Sequence, residues 1–243
     1  MLIINADDFG RNRLATDRIV ECYTHGSLTS TSAMVFMEDS ARAAGMARKF
    51  GIDVGLHLNF SEDWTGMISP ASLSEAHRRI SRFLRKSRFA SLFYNPILRR
   101  DFHDVFRAQL DEFLRLYGAA PSHFDGHHHM HLCANVLIDG LISKGQKVRR
   151  NFSFAANEKS FLNRAYRWLI DRWLLRRYRC TDFLFALSPR LQTEGLGRII
   201  TLASERNVEL ETHPENSGEF VWLTGTSCTT ALSSVSKGSY ADL

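Results

Sequence analysis

The sequence predicts an α/β fold organised on a mainly parallel sheet. Three observations carry that prediction. Short apolar or β-branched runs alternate with segments of helical period along the chain, and no internal repeat or Pro/Gly-rich linker divides it. Polar residues able to do chemistry recur just after the apolar runs, at Asp7-Asp8, His57, His127 and His213. In parallel βα folds the ends of the strands converge on one face, where the site is built. The chain has 243 residues, 44% of them hydrophobic, which is enough to bury a sizeable core as a single domain over 1–243. About six or seven βα units in that length suit a barrel or incomplete barrel better than a three-layer sandwich.

Leu2 to Ala6 is apolar, β-branched and stopped by a polar cluster, so it reads as a buried strand. Residues 13–25 carry Leu14, Ile19, Val20 and Tyr23 at helical spacing, and His25-Gly26 closes that helix. Thr29 to Phe36 is the second strand and Ser40 to Phe50 a short helix ended by Gly51. Asp53 to Leu58 is the third strand. Residues 59–74 show no period and read as a long loop containing Trp64. Residues 75–117 are helical in two pieces, broken at Asn95-Pro96 and ended by Gly118 and Pro121. Ser122 to Asp125 is a short strand, Asn135 to Ser143 a helix, and Val148 to Asn151 a candidate strand. Residues 158–179 form a basic amphipathic helix with Leu162, Tyr166, Leu169, Ile170 and Trp173 on one side. Phe183 to Leu187 is a strand, Gly195 to Arg206 a helix and Val208 to Thr212 the last clear strand. The Ser/Thr-rich segment 216–243 carries no decisive pattern.

Composition narrows the function classes. Cys22, Cys133, Cys180 and Cys228 are widely spaced with no CxxC pair, which argues against a thiolate zinc site or a disulfide framework and suits a reducing compartment. The N-terminus runs from Leu2-Ile3-Ile4 into Asp7-Asp8 without the charged and long apolar regions of a signal peptide, and no apolar run reaches the ~18 residues of a membrane span. A cytoplasmic protein is therefore expected. The net charge of +5 is concentrated in two arginine-rich stretches, around 78–88 and 164–179. These read most simply as solvated helix faces, while basic surfaces also attract anionic lipid or acidic glycans.

The segment Phe124-Asp125-Gly126-His127-His128-His129-Met130-His131 places four histidines in five positions behind a short apolar lead-in. Convergence of one carboxylate and two imidazoles at strand ends gives a facial ligand set for one divalent cation, magnesium or zinc, with open positions for water and a substrate oxygen. Asp8 offers the carboxylate, His57, His127 and His213 are the candidate imidazoles, Asp7 is a candidate base for the attacking water and His213 a candidate donor of a proton to the leaving group. Taken singly each residue has a plainer reading: an N-cap for Asp7-Asp8, a core histidine for His57, a strand end for His213. His127 and His131 have i, i+4 spacing, but Gly126 suggests a loop there.

NADDFG near residue 5, LTSTSAMV near 28, VGLHLN near 54, HFDGHHHMH near 123 and ELETHPE near 209 together resemble the YdjC/ChbG-type carbohydrate deacetylases, a group that includes the hopanoid-associated HpnK-like proteins. The resemblance runs from residue 1 to about 215. It implies a distorted TIM-like (β/α) barrel and a metal-dependent removal of acetyl from an N-acetylated sugar, oligosaccharide or glycolipid. By matching position it implies Asp7 as base, Asp8, His57 and His127 as metal ligands, and His213 as acid or transition-state contact. It further implies Arg149 as a residue that orients Asp7 or binds substrate, and His131 as support behind the ligands. Arg11-Asn12 stands where the family usually has Leu-Ser, and Glu215 where it usually has Gly.

Two alternatives keep the same residues in view. A metal-dependent phosphoesterase wants more bridging carboxylates, and a glycosidase wants two carboxylates across the bond, whereas neighbours on a regular strand point to opposite sides. A basic membrane-surface or glycan-binding protein would instead use the 158–179 helix, which mixes Arg with Trp and Tyr. No nucleic-acid motif is present. The expected partners are thus an N-acetylated sugar or glycan, with peripheral membrane contact and a homodimer as further expectations. Trp64 is expected either to stack on a sugar or to pack its own loop down.

Overall fold

The computed structural model describes residues 1–66, 70–154, 160–188, 191 and 195–243. The strands are β1 (Leu2–Phe9), β2 (Ser30–Ala33), β3 (Val54–Leu58), β4 (Phe124–Gly126), β5 (Phe183–Ala186) and β6 (Val208–Thr212). They form one sheet in the order β4-β3-β2-β1-β6-β5, every pairing parallel. That is the order of a βα barrel opened between β4 and β5. Residues 147–153 span the gap: Arg149 N donates to Phe124 O at 2.9 Å and Ser153 N to Leu184 O at 2.8 Å. The sheet therefore curls into a distorted, incomplete barrel. The strand expected at 148–151 is reduced to isolated bridges at Lys147 and Val148. Beyond them Asn151 N donates to the Asp171 carboxylate instead of a neighbouring strand, so a side chain takes the place of the ladder.

The helices are α1 (Arg13–Thr24), α2 (Ser40–Phe50), α3 (Ala71–Arg85), α4 (Arg99–Tyr117), α5 (Ala134–Asp139), α6 (Phe161–Leu175), α7 (Gly195–Ala203), α8 (Ser217–Thr224) and α9 (Thr226–Ala231). Asn12 Oδ1 caps α1 by accepting from Ala15 N at 2.8 Å. Asn95 Oδ1 caps the 3-10 turn Pro96–Leu98 that breaks α3 from α4. The aperiodic loop from 59 stops at Pro70, where α3 begins, four residues earlier than the sequence suggests. Residues 67–69 of that loop, and 158–159 of the expected basic helix, lie outside the described residues. Among the described residues no helix is long and apolar enough to cross a membrane.

Strand alternation sorts the interior into two regions. Leu2, Ile4 and Ala6, Leu56 and Leu58, and Val208 and Leu210 join the apolar core. The alternate residues Asn5 and Asp7, Ser30 and Ser32, His57, and Glu209 and Glu211 are also buried, but they form a connected polar network inside the sheet. The C-terminal segment that the sequence left open closes the lower end of that network. Leu2 N donates to Ser236 O at 2.8 Å, and Tyr240, fully buried, stacks on His123 at 3.7 Å and donates to Glu209 Oε2. Gly55 lies flat against His123. A Cβ there would come within 2.3 Å of the ring, so only glycine fits this close approach.

Candidate active site

The upper ends of β1, β3, β4 and β6 meet in a cavity of about 590 Å³. In a regular strand Asp7 and Asp8 would face opposite ways. Here the β1–β2 register shifts between Ala6 and Phe9, and Asp8 takes a left-handed φ of 68°. Aspartate is one of the few L-residues that enters this conformation readily. The irregularity turns both carboxylates into the cavity. His57 Nε2, from the end of β3, lies 3.3 Å from Asp8 Oδ1 and 3.9 Å from Asp7 Oδ2. His127 follows β4 directly, with Nδ1 2.9 Å from Asp8 Oδ1.

Residues 127–132 do not form an α-helical turn, because His128 and His129 are left-handed at φ 52° and 57°. The i, i+4 spacing therefore does not bring His127 and His131 together. His131 is buried and its Nε2 lies 3.1 Å from the Arg149 carbonyl, so it supports the segment that carries Arg149.

Asp8, His57 and His127 offer donor atoms that all lie within 4.8 Å of one another. Asp125 Oδ1 accepts from His57 Nδ1 at 2.8 Å, which leaves Nε2 free toward Asp8. Glu62 Oε2 stands 2.8 Å from His127 Nε2. Each imidazole is thus backed by a carboxylate on the nitrogen away from Asp8, the arrangement that orients metal-binding histidines. The electrostatics agree. Burial opposes a charged His57, but Asp125, Asp7 and Asp8 outweigh it and hold its pKa well above the ordinary value. Burial likewise opposes an ionised Asp8, yet His127 and His57 hold its pKa well below the usual range. The basin calls for positive charge, and one carboxylate with two imidazoles is a donor set that fits a divalent cation.

Arg149 lies beneath, with no exposed surface. It grips Asp7 with both arms, Nη1 to Oδ2 at 2.6 Å and Nη2 to Oδ1 at 2.7 Å. It also reaches Asp125 Oδ2 at 2.9 Å, Glu209 Oε1 at 2.8 Å and Glu211 Oε2 at 3.3 Å. Burial raises the Asp7 pKa, but Arg149 and His57 bring the net shift below the ordinary value. His213, just past β6, places Nε2 3.9 Å from Asp7 Oδ2, and its backbone N donates to Glu219 Oε2 at 2.6 Å. Asp7, Glu211 and His213 also cluster within 4.8 Å. The Arg149 guanidinium already neutralises that group, so a second cation is not called for there.

Arg11 and Asn12 join Glu215 across the rim, Arg11 Nη1 at 2.9 Å and Asn12 Nδ2 at 2.8 Å, and Arg11 also donates to Glu62 Oε1. The positions at which this chain departs from the resembled pattern are thus bonded to one another. Trp64 does not line the cavity. It stacks on His77 at 4.1 Å and packs on Phe36 at 4.6 Å. The sequence reading missed Asp125, Glu62, Glu209 and Glu211. The last two had a visible signal, since Glu-Leu-Glu inside a buried strand sends both acids to one face.

Glu209 gives a pH prediction. Burial pushes its carboxyl up to about 7, against the pull of Arg149. The folded protein therefore holds a proton that the unfolded chain releases near pH 4.5. The stability this contributes is complete below that value and is lost as pH rises through about 7. The stability gap between the native protein and Glu209→Gln should narrow across this window and level off above it. Chemical denaturation at several pH values measures it, and a pH-independent gap would contradict the assignment.

A family model described as YdjC-like protein matches residues 1–229. A chitooligosaccharide deacetylase of Serratia marcescens is 32% identical over 134 residues, covering 54% of this chain and 51% of that protein. A carbohydrate deacetylase of Mus musculus is 34% identical over 138 residues, covering 56% and 44% respectively. These alignments span about half the length of the curated relatives they match. A crystal structure of a proposed cellobiose-phosphate cleavage protein from Enterococcus faecalis V583 superimposes with a TM-score of 0.67 over 99% of this chain and 97% of that one, at 20% identity. That likeness concerns the fold.

Proposed function

The chain belongs to the YdjC-like family, and from that premise we propose that it is a metal-dependent deacetylase of an N-acetylated sugar, oligosaccharide or glycolipid. The observation that carries this reading is the placement of Asp7. It is an ionised carboxylate clamped by Arg149 beside the Asp8–His57–His127 ligand set, with His213 on its open side.

Asp8, His57 and His127 would hold one divalent cation, magnesium or zinc, whose Lewis acidity polarises an amide carbonyl. The chain's own groups then divide the proton work. Asp7 Oδ2, which faces His57 and His213, takes a proton from the attacking water. Arg149 holds that carboxylate in one orientation and keeps it charged before the water arrives. His213 gives a proton to the departing nitrogen as the carbon–nitrogen bond breaks. The products are acetate and a free amine on the sugar. Names carried by the relatives support this choice of substrate class, since they specify chitooligosaccharide or carbohydrate deacetylation.

The direct test is acetate release from a panel of N-acetylated sugars and oligosaccharides, with and without chelator. Chelator-sensitive release restored by added cation is expected. Release that ignores chelator would remove the metal from the proposal, and an unreactive panel that includes lipid-linked sugars would remove the deacetylase reading. Asp125→Asn tests the support behind the ligands. Without the carboxylate at 2.8 Å, His57 loses its fixed tautomer, and cation affinity should weaken about 10–100-fold. Titration calorimetry measures this without reference to turnover, and an unchanged affinity would show that Asp125 does not orient the ligand.

A further inference from the structure

We infer that the outer face of α6 is a docking surface for an anionic lipid bilayer. The sequence pattern puts Leu162, Tyr166, Leu169, Ile170 and Trp173 on one side of a basic amphipathic helix. In the structure α6 buries only Asp171 and Leu174 of its fifteen residues. Leu162 is 78% exposed, Trp168 58% and Leu169 60%. Leu92 and Ile138, which line one groove together with α6 and are themselves exposed, extend the apolar area. Exposed apolar area of this extent marks an interaction site more often than idle surface.

Charge selects the occupant. Arg172 on α6 and Arg176 at its C-cap stand exposed, and the Arg172 guanidinium lies 4.9 Å over the Trp168 ring. Two shallow grooves flank α6, of about 470 and 650 Å³, and among their described lining residues Asp171 is the single acid. It is buried and held by Arg150 at 2.6 Å, so it does not offset the surface charge. Apolar and aromatic side chains beside the exposed Arg172 and Arg176 match a bilayer interface, where rings and aliphatic stems enter the acyl boundary while guanidinium groups stay with lipid phosphates. A two-fold contact with a second copy would press this arginine rim against itself.

The surface is continuous with the catalytic cavity. Phe152 lines the larger groove and packs edge-on against the cavity residue His129 at 4.6 Å. Seating α6 on a bilayer would bring the cavity beside the lipid surface. The inference stands on this face alone and does not depend on which reaction the cavity performs.

The test uses the full chain, with vesicles of phosphatidylcholine alone and of phosphatidylcholine mixed equally with phosphatidylglycerol. Co-sedimentation with the mixed vesicles is expected, weakened by salt and absent with phosphatidylcholine alone. The double variant R172E/R176E should bind the mixed vesicles at least about thirtyfold more weakly, given the contribution of each arginine near an anionic surface. W168S/L169S should lose binding while its melting temperature stays unchanged, because both side chains are already exposed. Absence of vesicle binding at low salt would overturn the inference. So would sedimentation velocity showing a dimer that the same substitutions dissolve, since the face would then be a contact between copies.

Discussion

Asp7→Asn should lower acetate release by about 10²–10⁴-fold while leaving cation affinity close to that of the native protein. The direction follows from what asparagine lacks. It preserves the shape of the side chain but cannot take a proton from water. The proposed cation ligands Asp8, His57 and His127 are untouched, so affinity should hold. Folding should survive as well. Arg149 keeps Asp125 as a counter-charge at 2.9 Å and Glu209 and Glu211 as oxygen partners at 2.8 and 3.3 Å, and Glu211, whose high pKa owes most to burial and then to Asp7, is relieved of a neighbouring negative charge. Asp8→Asn is the contrasting variant and should lose cation and activity together. The two are separated by measuring turnover and metal binding on the same samples. Turnover of Asp7→Asn within about threefold of the native rate would exclude Asp7 as the base, because a general base accounts for far more than that.

The sequence makes some parts of this site visible and hides others for physical reasons. An apolar run followed by a polar pair is a local pattern, so the strands and the residues at their ends could be read directly. That Asp7 and Asp8 share one basin could not. It depends on a register shift between β1 and β2 and on one left-handed residue, and both are set by pairing with Ser30–Ala33, far along the chain. Asp125 and Glu211 lie two residues before His127 and His213. Period-two alternation already places each acid on the face of its strand that points to the site, a signal that attention to the histidines alone passes over. Glu62 sits in an aperiodic loop and carries no such signal. Arg149 entered only through family resemblance, since a single arginine after a weak strand has nothing to mark it as buried. The helix at α6 shows a different limit. Its period was legible, but period does not say whether the apolar side meets the core, and here most of it does not.

Arg149→Met should be the most destabilising single change in the chain. The native arginine is fully buried among four carboxylates, and removing one partner from such a cluster leaves charge that neither water nor a neighbour neutralises. Loss of this kind costs about 3–5 kcal/mol, which in a domain of this size lowers the melting temperature by roughly 6–20 °C. Methionine keeps much of the volume, so the loss reflects charge and hydrogen bonding more than a cavity. The deficit should also depend on pH. Burial and the neighbouring acids already raise the carboxyls of Glu209 and Glu211, and without the guanidinium they rise further. Protonating them removes the repulsion, so the variant should recover part of its deficit at pH 5 and be weakest above about pH 7. Arg149→Lys restores a charge without the two-armed grip on Asp7, and should recover more stability than activity. Melting curves of the three proteins from pH 5 to 8 decide the matter. A methionine variant that melts within about 2 °C of the native protein at pH 8 would show that these carboxylates are not held by the guanidinium at all, since even 1 kcal/mol should move the midpoint that far.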